Sequence, residues 1–192
     1  MPRGDTENAF QRAAADDGIA LVRARVPWLN QRGHLGLPDA AASVVPALRS
    51  IFLALGGNEP EQAAKRLTAL PGDFVHLESM TFIEVDEHQH FTTRRLATLD
   101  LYPENAPLAF DLEEYAALCH EWSSRADRYR PGKAAIAFGA NRRQAQRAYH
   151  DALRDLVVPA LGHPPLVRVA APERDGSLAY ARIRDRLAAL RS

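Results

Sequence analysis

The stretch Asp73-Phe74-Val75-His76-Leu77-Glu78-Ser79-Met80-Thr81-Phe82-Ile83-Glu84-Val85-Asp86 decides the fold. Its two halves, Asp73–Leu77 and Met80–Asp86, are rich in the β-branched and aromatic residues that suit a pleated surface. A turn at Glu78-Ser79 predicts an antiparallel hairpin in which Leu77 faces Met80, Val75 faces Phe82 and Asp73 faces Glu84. Glu-Ser is not a favoured two-residue turn pair. A four-residue loop from Leu77 to Met80 gives the same pairing. Opposed side chains share a face and lie roughly 5 Å apart. Side chains repeat with period two, so Asp86 joins that face. A slip of one residue would send Glu84 to the other side. Three carboxylates are therefore expected in one small volume, where like charges repel unless a cation or a proton lies between them. Oxygen ligands held on rigid strands are what a magnesium-dependent hydrolase needs.

Outward from the hairpin the chain reads as helices with few strands. Asp5 to Ala15 is a short helix, with Thr6 a candidate cap. Ile19 to Val26 is a strand or the end of that helix. Leu29 to Leu37 is a loop. Asp39 caps a helix to Leu55, which Pro46 kinks or restarts. Asn58 caps a further helix running to about Ala69. Beyond Phe91 come helices over Thr92–Leu101, Leu112–Arg130 and Arg142–Leu161, the last with Asn141 as cap. A strand over Leu166–Ala170 and a helix from Leu178 to Leu190 follow. The fold class is α/β: one domain, a mixed central sheet flanked by helices, the acidic hairpin at its centre and a helical insertion over about 92–140.

At 192 residues the default is one domain able to bury a sizeable core. The single cysteine, Cys119, leaves no internal disulfide and suits a reducing, cytoplasmic setting. It reads as a helix-packing residue rather than a nucleophile. No apolar run is long enough for a membrane span, and no signal-peptide core opens the chain. The histidines give no zinc spacing, and the Walker and Rossmann glycine patterns are both absent. The net charge is zero, but it is segregated. Arg125 to Arg154 is strongly basic, whereas Asp100 to Glu121 is acidic. The basic block is either a phosphate-binding face or a solvated helix surface.

The run Asp73, Glu84-x-Asp86, Gln89-His90 resembles the signature of the PD-(D/E)XK restriction-endonuclease-like superfamily, nearest to the branch related to very-short-patch-repair endonucleases. Pro71-Gly72-Asp73 is similar to the opening Pro-Asp of the superfamily name, with Gly72 inserted. Asp86 stands where many members carry lysine, and Glu87 where the branch usually has glycine. Asp151-Ala152-Leu153-Arg154, Gly162 and Leu166–Val169 resemble the helix and strand that complete the nuclease core. The resemblance implies a restriction-endonuclease-like core and a metal-dependent endonuclease acting on nucleic acid, DNA first, in restriction, repair or phage defence. Mg²⁺ would be the cofactor, with Mn²⁺ substituting. A homodimer or a partner protein fits this reading.

Asp73 and Glu84 are the expected metal ligands. Asp86 is a third ligand, a water-orienting group or a solvent-facing strand end. Gln89 and His90 contact the attacking water or the scissile phosphate, or are structural. A histidine near neutral pKa suits acid–base work. Glu59 and Glu61 are candidates for a further metal-shell glutamate from a preceding helix. Arg94, Arg95, Lys133, Arg142, Arg143 and Arg147 are the candidate nucleic-acid contacts; Arg94 and Arg95 can clamp a phosphate or form surface salt bridges. Two other classes compete. The missing lysine fits a catalytically degenerate nucleic-acid-binding module. The acidic Asp100–Glu121 segment fits an interaction subunit of a larger defence complex.

Overall fold

In the computed structural model the hairpin forms in the expected register. It describes residues 4–129, 135–139 and 142–191. Strand β2 (Ala69–His76) pairs antiparallel with β3 (Thr81–Glu87), with Phe74 opposite Ile83, Val75 opposite Phe82 and His76 opposite Thr81. The connection is the four-residue loop Leu77–Met80.

The segment before it resolves to a strand, β1 (Leu21–Asn30), antiparallel to β2. That pairing is irregular between Arg23 and Asn30, opposite Pro71-Gly72, where proline brings no N–H to the ladder. β4 (Val167–Ala171) lies parallel to β3, giving a mixed sheet in the order β1-β2-β3-β4 with the hairpin at its centre. A parallel neighbour requires a crossover. It is supplied by α4 (Thr93–Leu99), α5 (Leu112–Ala126) and α6 (Arg143–Ala160). Before the sheet centre come α1 (Asp5–Asp16), α2 (Val45–Ala54) and α3 (Glu59–Ala63); α7 (Gly176–Ala188) ends the chain.

One sheet face packs on α1 and α7 through Phe10, Phe74, Ile83, Val85, Val169 and Tyr180. The opposite face, with Ala24, Val75, Phe82 and Leu166, meets Val158 of α6. Period two puts Glu84, Asp86 and Arg168 on this second face, so α6 covers charge as well as hydrocarbon. α4 and α5 close over it through Phe91, Leu99, Tyr115 and Cys119. Burial pushes the Cys119 thiol up to about 12, consistent with packing rather than reactivity.

Several boundaries differ from the sequence reading. Thr6 is not a cap; it lies inside α1 and donates to Glu87 Oε1 at 2.6 Å. α3 ends at Ala63, because Ala69 is drawn into pairing with Asn30 and Gln31 N–H donates to the Thr68 carbonyl. Asp39 opens a 3-10 turn, and the helix restarts with Pro46 in its first turn. α7 begins at Gly176, since Asp175 accepts from the Leu178 N–H at 2.9 Å. Asn141, the expected cap of α6, lies outside the described residues. Among those described, no helix is long and apolar enough to cross a membrane.

Candidate metal and nucleic-acid site

Asp73 and Glu84 meet at the end of the β2–β3 ladder and bind each other's strands. Asp73 Oδ2 accepts the Val85 N–H at 2.8 Å, and Glu84 Oε1 accepts the Asp73 N–H at 3.1 Å. Backbone donors therefore fix both carboxylates. The approach depends on Gly72, where a Cβ would stand 2.8 Å from Glu84 Oε1. Gly72, Leu70, Glu84 and Arg154 also line a cavity of about 10 Å³, room for one water-sized body.

Asp86 departs from the expected role. It is fully buried. Arg168 Nη1 donates to both its oxygens at 2.9 and 2.8 Å, and Tyr115 donates to Oδ2 at 2.8 Å. Asp86 is a partner of Arg168 in the core, neither a solvent-facing strand end nor an open ligand. Arg168 also donates from Nε to Asp155 Oδ1 at 2.7 Å. Arg95 Nη2 and the Tyr102 hydroxyl both donate to Asp155 Oδ2 at 2.6 Å.

Arg95 is thus no phosphate clamp: it is fully buried, one turn of α4 facing α6, while its neighbour Arg94 is exposed. Arg154 reaches the Pro71 carbonyl at 2.7 Å and holds Nε 3.3 Å from Glu84 Oε1.

His90 closes the cluster. Its Nδ1 lies 2.9 Å from Asp151 Oδ2 and 3.3 Å from Asp86 Oδ1. Burial works against charge on this ring, but Asp151 and Asp86 outweigh it and raise its pKa. His90 and Arg168 in turn hold the Asp151 carboxyl well below the usual range against its burial. The charges can be summed. Glu84, Asp86, Asp151 and Asp155 are carboxylates; Arg95, Arg154, Arg168 and a protonated His90 match them one for one. Asp73 is left over. Burial and the neighbouring Glu84 push its carboxyl up to about 8. Glu84 is itself raised, by burial, against the pull of Arg154 and Arg168.

Sequence reasoning missed Asp155 in this cluster and a second acid next to Asp73. The charge of Glu7, on α1, also raises Asp73, and Glu7 Oε2 is buried with no hydrogen-bond partner. Its only sequence signal is helical phase, three residues before the buried Phe10. The proposed alternatives are engaged elsewhere: Glu59 with Arg49 at 2.8 Å and His34 at 3.3 Å, and Glu61 with the Ala137 N–H at 2.9 Å.

Gln89 donates to Glu87 Oε2 at 2.9 Å, and its carbonyl accepts from Arg147 Nη1 at 2.9 Å. Arg143 and Arg147 lie one turn apart on α6; Arg143 donates to Gln146. Arg142 turns instead to the Leu55 carbonyl at 3.4 Å. Lys133 lies outside the described residues.

As they stand, no three His, Cys, Asp or Glu side chains among the described residues are grouped to hold a metal ion. Two carboxylates are a sufficient protein share for Mg²⁺, which keeps several of its waters. Asp73 Oδ1 and Glu84 Oε2 accept no hydrogen bond among the described residues. Burial and Glu84 disfavour the ionised form of Asp73, a penalty that a cation bound there would offset.

Fold and site define an α/β domain with a four-stranded mixed sheet, a carboxylate pair at the end of its central hairpin and a buried ionic cluster behind it. Residues 50–189 match a family described as a family of unknown function, DUF7255, and the chain belongs to that family. Comparison with curated proteins and with solved structures found no match.

Proposed function

We propose that this domain is a metal-dependent nuclease that hydrolyses phosphodiester bonds, in DNA first, on a restriction-endonuclease-like core. The observation that carries the reading is the backbone-fixed Asp73–Glu84 pair, in which Asp73 has no ion-pair partner among the described residues. Asp73 and Glu84 would hold Mg²⁺, or Mn²⁺ in its place, with Glu7 adding negative charge beside Asp73. When bound, the ion supplies Lewis-acid stabilisation of the phosphate and a more acidic water. His90 has Nδ1 committed to Asp151, which leaves Nε2 to hold or deliver a proton to the leaving oxygen. Arg147, anchored on the Gln89 carbonyl, and the exposed Arg94 are the backbone contacts. Asp86 supports these groups through Arg168.

The test is cleavage of supercoiled plasmid and single-stranded DNA in Mg²⁺, Mn²⁺ or EDTA, comparing the natural chain with Asp73→Ala and Glu84→Ala. Metal-dependent cutting lost in both variants is the expected result. No cutting with any metal, and DNA binding unchanged in both variants, would reject it. One observation favours a second reading, a degenerate binding module. Arg154 already supplies Glu84 with a cation at 3.3 Å, so a metal has to share that carboxylate. This reading expects binding that EDTA does not weaken.

A further inference from the structure

Strand β2 carries a bulge at the carboxylate pair. Between the pairs Arg23–Phe74 and Arg25–Pro71, β1 advances two residues and β2 three, so Gly72 and Asp73 together oppose Ala24. A bulge interrupts the ladder and re-aims the side chains around it. This one brings both Gly72 and the Asp73 N–H against Glu84 Oε1. The ladder gives it little support. Pro71 offers no N–H, and the next pair beyond Arg25–Pro71 is Asn30–Ala69.

Arg154 supplies an anchor from α6. Its Nη2 donates to the Pro71 carbonyl at 2.7 Å, at the edge of the bulge. Its Nε stands 3.3 Å from Glu84 Oε1, and its Nη1 lies 3.6 Å from Asp151 Oδ1. Asp151 in turn holds His90 Nδ1 at 2.9 Å. Nη1 also donates to the His150 carbonyl at 3.2 Å, which ties the fork to its own helix. One guanidinium thus touches the peptide two residues before Asp73, the Glu84 carboxylate and the acid beside His90. At 8% exposure it has little surface to offer a nucleic-acid strand.

Arg154 meets Glu84 at the oxygen that already accepts the Asp73 N–H, and Glu84 Oε2 accepts no hydrogen bond among the described residues. Taken alone, the charge of Arg154 opposes a second cation at Glu84. The position it imposes on the two acids favours one, because ligating carboxylates depend on the partners that orient them. Lysine separates the two effects: it keeps the charge and loses the planar fork.

We infer that Arg154 is a positioning residue for the metal-dependent reaction, its fork fixing the bulge and Glu84 so that Asp73 and Glu84 present one geometry to an ion. This rests on the nuclease reading in taking those two acids as the metal ligands; the bulge and its contacts stand without it.

The experiment is calorimetric titration of the full chain with MnCl₂ in the absence of nucleic acid, so that cleavage plays no part. The natural chain is compared with Asp73→Ala, Arg154→Lys and Arg95→Lys, each checked for folding by circular dichroism. Arg95 is a buried, ion-paired guanidinium with no printed contact to Pro71 or Glu84 in its bonding to Asp155 and Tyr102, and it controls for general loosening of the core. The natural chain should bind Mn²⁺ and Asp73→Ala should lose it. Arg154→Lys should bind at least fivefold more weakly, since outer partners of metal ligands set affinity by about 10–100-fold, and Arg95→Lys should stay within fivefold. A smaller change in Arg154→Lys, tighter binding by it, or an equal loss in Arg95→Lys overturns the proposal and leaves the metal site standing. No Mn²⁺ binding by the natural chain, or binding that Asp73→Ala does not weaken, rejects the metal reading and the proposal with it. A second readout needs no variant: in ¹⁵N NMR of the natural chain, Mg²⁺ should move the Arg154 Nε resonance. A resonance that Mg²⁺ leaves in place overturns the proposal.

Discussion

Asp73 and Glu84 each accept a backbone N–H from the other's strand, at 2.8 Å from Val85 and 3.1 Å from Asp73 itself. Two like charges are thereby held together by the same hydrogen bonds that finish the hairpin. The cost appears as protonation: Asp73 is pushed up to about 8 by burial and by Glu84. The folded chain keeps a proton there that the unfolded chain releases above about pH 4. Linkage then requires the stability from this group to be present at low pH and to be lost as pH rises towards 8. His90, also raised, acts with the same sign above the usual imidazole range. His34, His88 and His150, whose pKa values are lowered by burial, act with the opposite sign below the usual imidazole range. The difference between chains is therefore the reading: between pH 5 and pH 8 the urea midpoint of the natural chain should fall relative to that of Asp73→Asn. An unchanged slope in the variant would contradict the shifted carboxyl.

Mg²⁺ should reverse that loss. An ion needs the deprotonated carboxylate, so binding strengthens as pH rises. A ligand bound only by the folded state raises its stability. Ten millimolar Mg²⁺ is expected to raise Tm by several degrees at pH 8, little at pH 5, and not at all in Asp73→Asn. Equal effects at both pH values would place the ion elsewhere.

The hairpin register was legible because period two and two opposed apolar pairs admit few alternatives, and the observed pairs Val75–Phe82 and Phe74–Ile83 follow it. The cap Asn58 was legible from local chemistry and accepts its helix N–H, whereas the caps Thr92 and Asp111 went unread. The ionic cluster was not legible. Asp151 and Arg168 lie in the segments that resemble the nuclease core, but nothing in the sequence joins Arg168 to Asp86 and Asp155 until α6 crosses the sheet. Arg94 and Arg95 look alike in sequence, and only helical phase with Thr98 and Leu99 turns Arg95 inward. Glu7 reaches Asp73 from another element, which no short-range pattern encodes.

That cluster yields a direct test of Arg95 and Arg168. Each guanidinium is buried against the Asp155 carboxylate. Removing one side of such a pair leaves a buried charge uncompensated, costing about 3–5 kcal/mol. Arg95→Met and Arg168→Met should each lose this much in urea unfolding. Arg94→Met, on the exposed side of the same helix, should change stability by less than about 0.5 kcal/mol. A stable Arg95→Met that binds DNA poorly would restore Arg95 to the nucleic-acid surface.

Gly72 carries the steric condition of the carboxylate pair. A methyl group there would stand 2.8 Å from Glu84 Oε1 and 3.1 Å from the Ala24 methyl. Glu84 is itself tied to the Asp73 N–H and cannot swing aside without breaking that bond. Gly72→Ala should destabilise the fold by about 1–3 kcal/mol and reduce the Mg²⁺-dependent rise in Tm. Retention of both would mean that Glu84 is free to move.

Gly176 sets the distance between α1 and α7. A Cβ there would overlap the Thr6 carbonyl oxygen and approach the Phe10 nitrogen to 2.7 Å. Both are backbone atoms of α1, so no side-chain rotation relieves the clash and the helix itself has to move. Thr6 ties α1 to Glu87 at the end of β3, and Glu7 beside it acts on Asp73. Gly176→Ala should therefore do two things: lower stability by about 1–3 kcal/mol, and weaken the dependence of stability on pH as Glu7 withdraws. Urea unfolding across pH 5 to 8 reads both. A loss of stability with the pH slope intact would separate α1 packing from the carboxylate site and remove Glu7 from it.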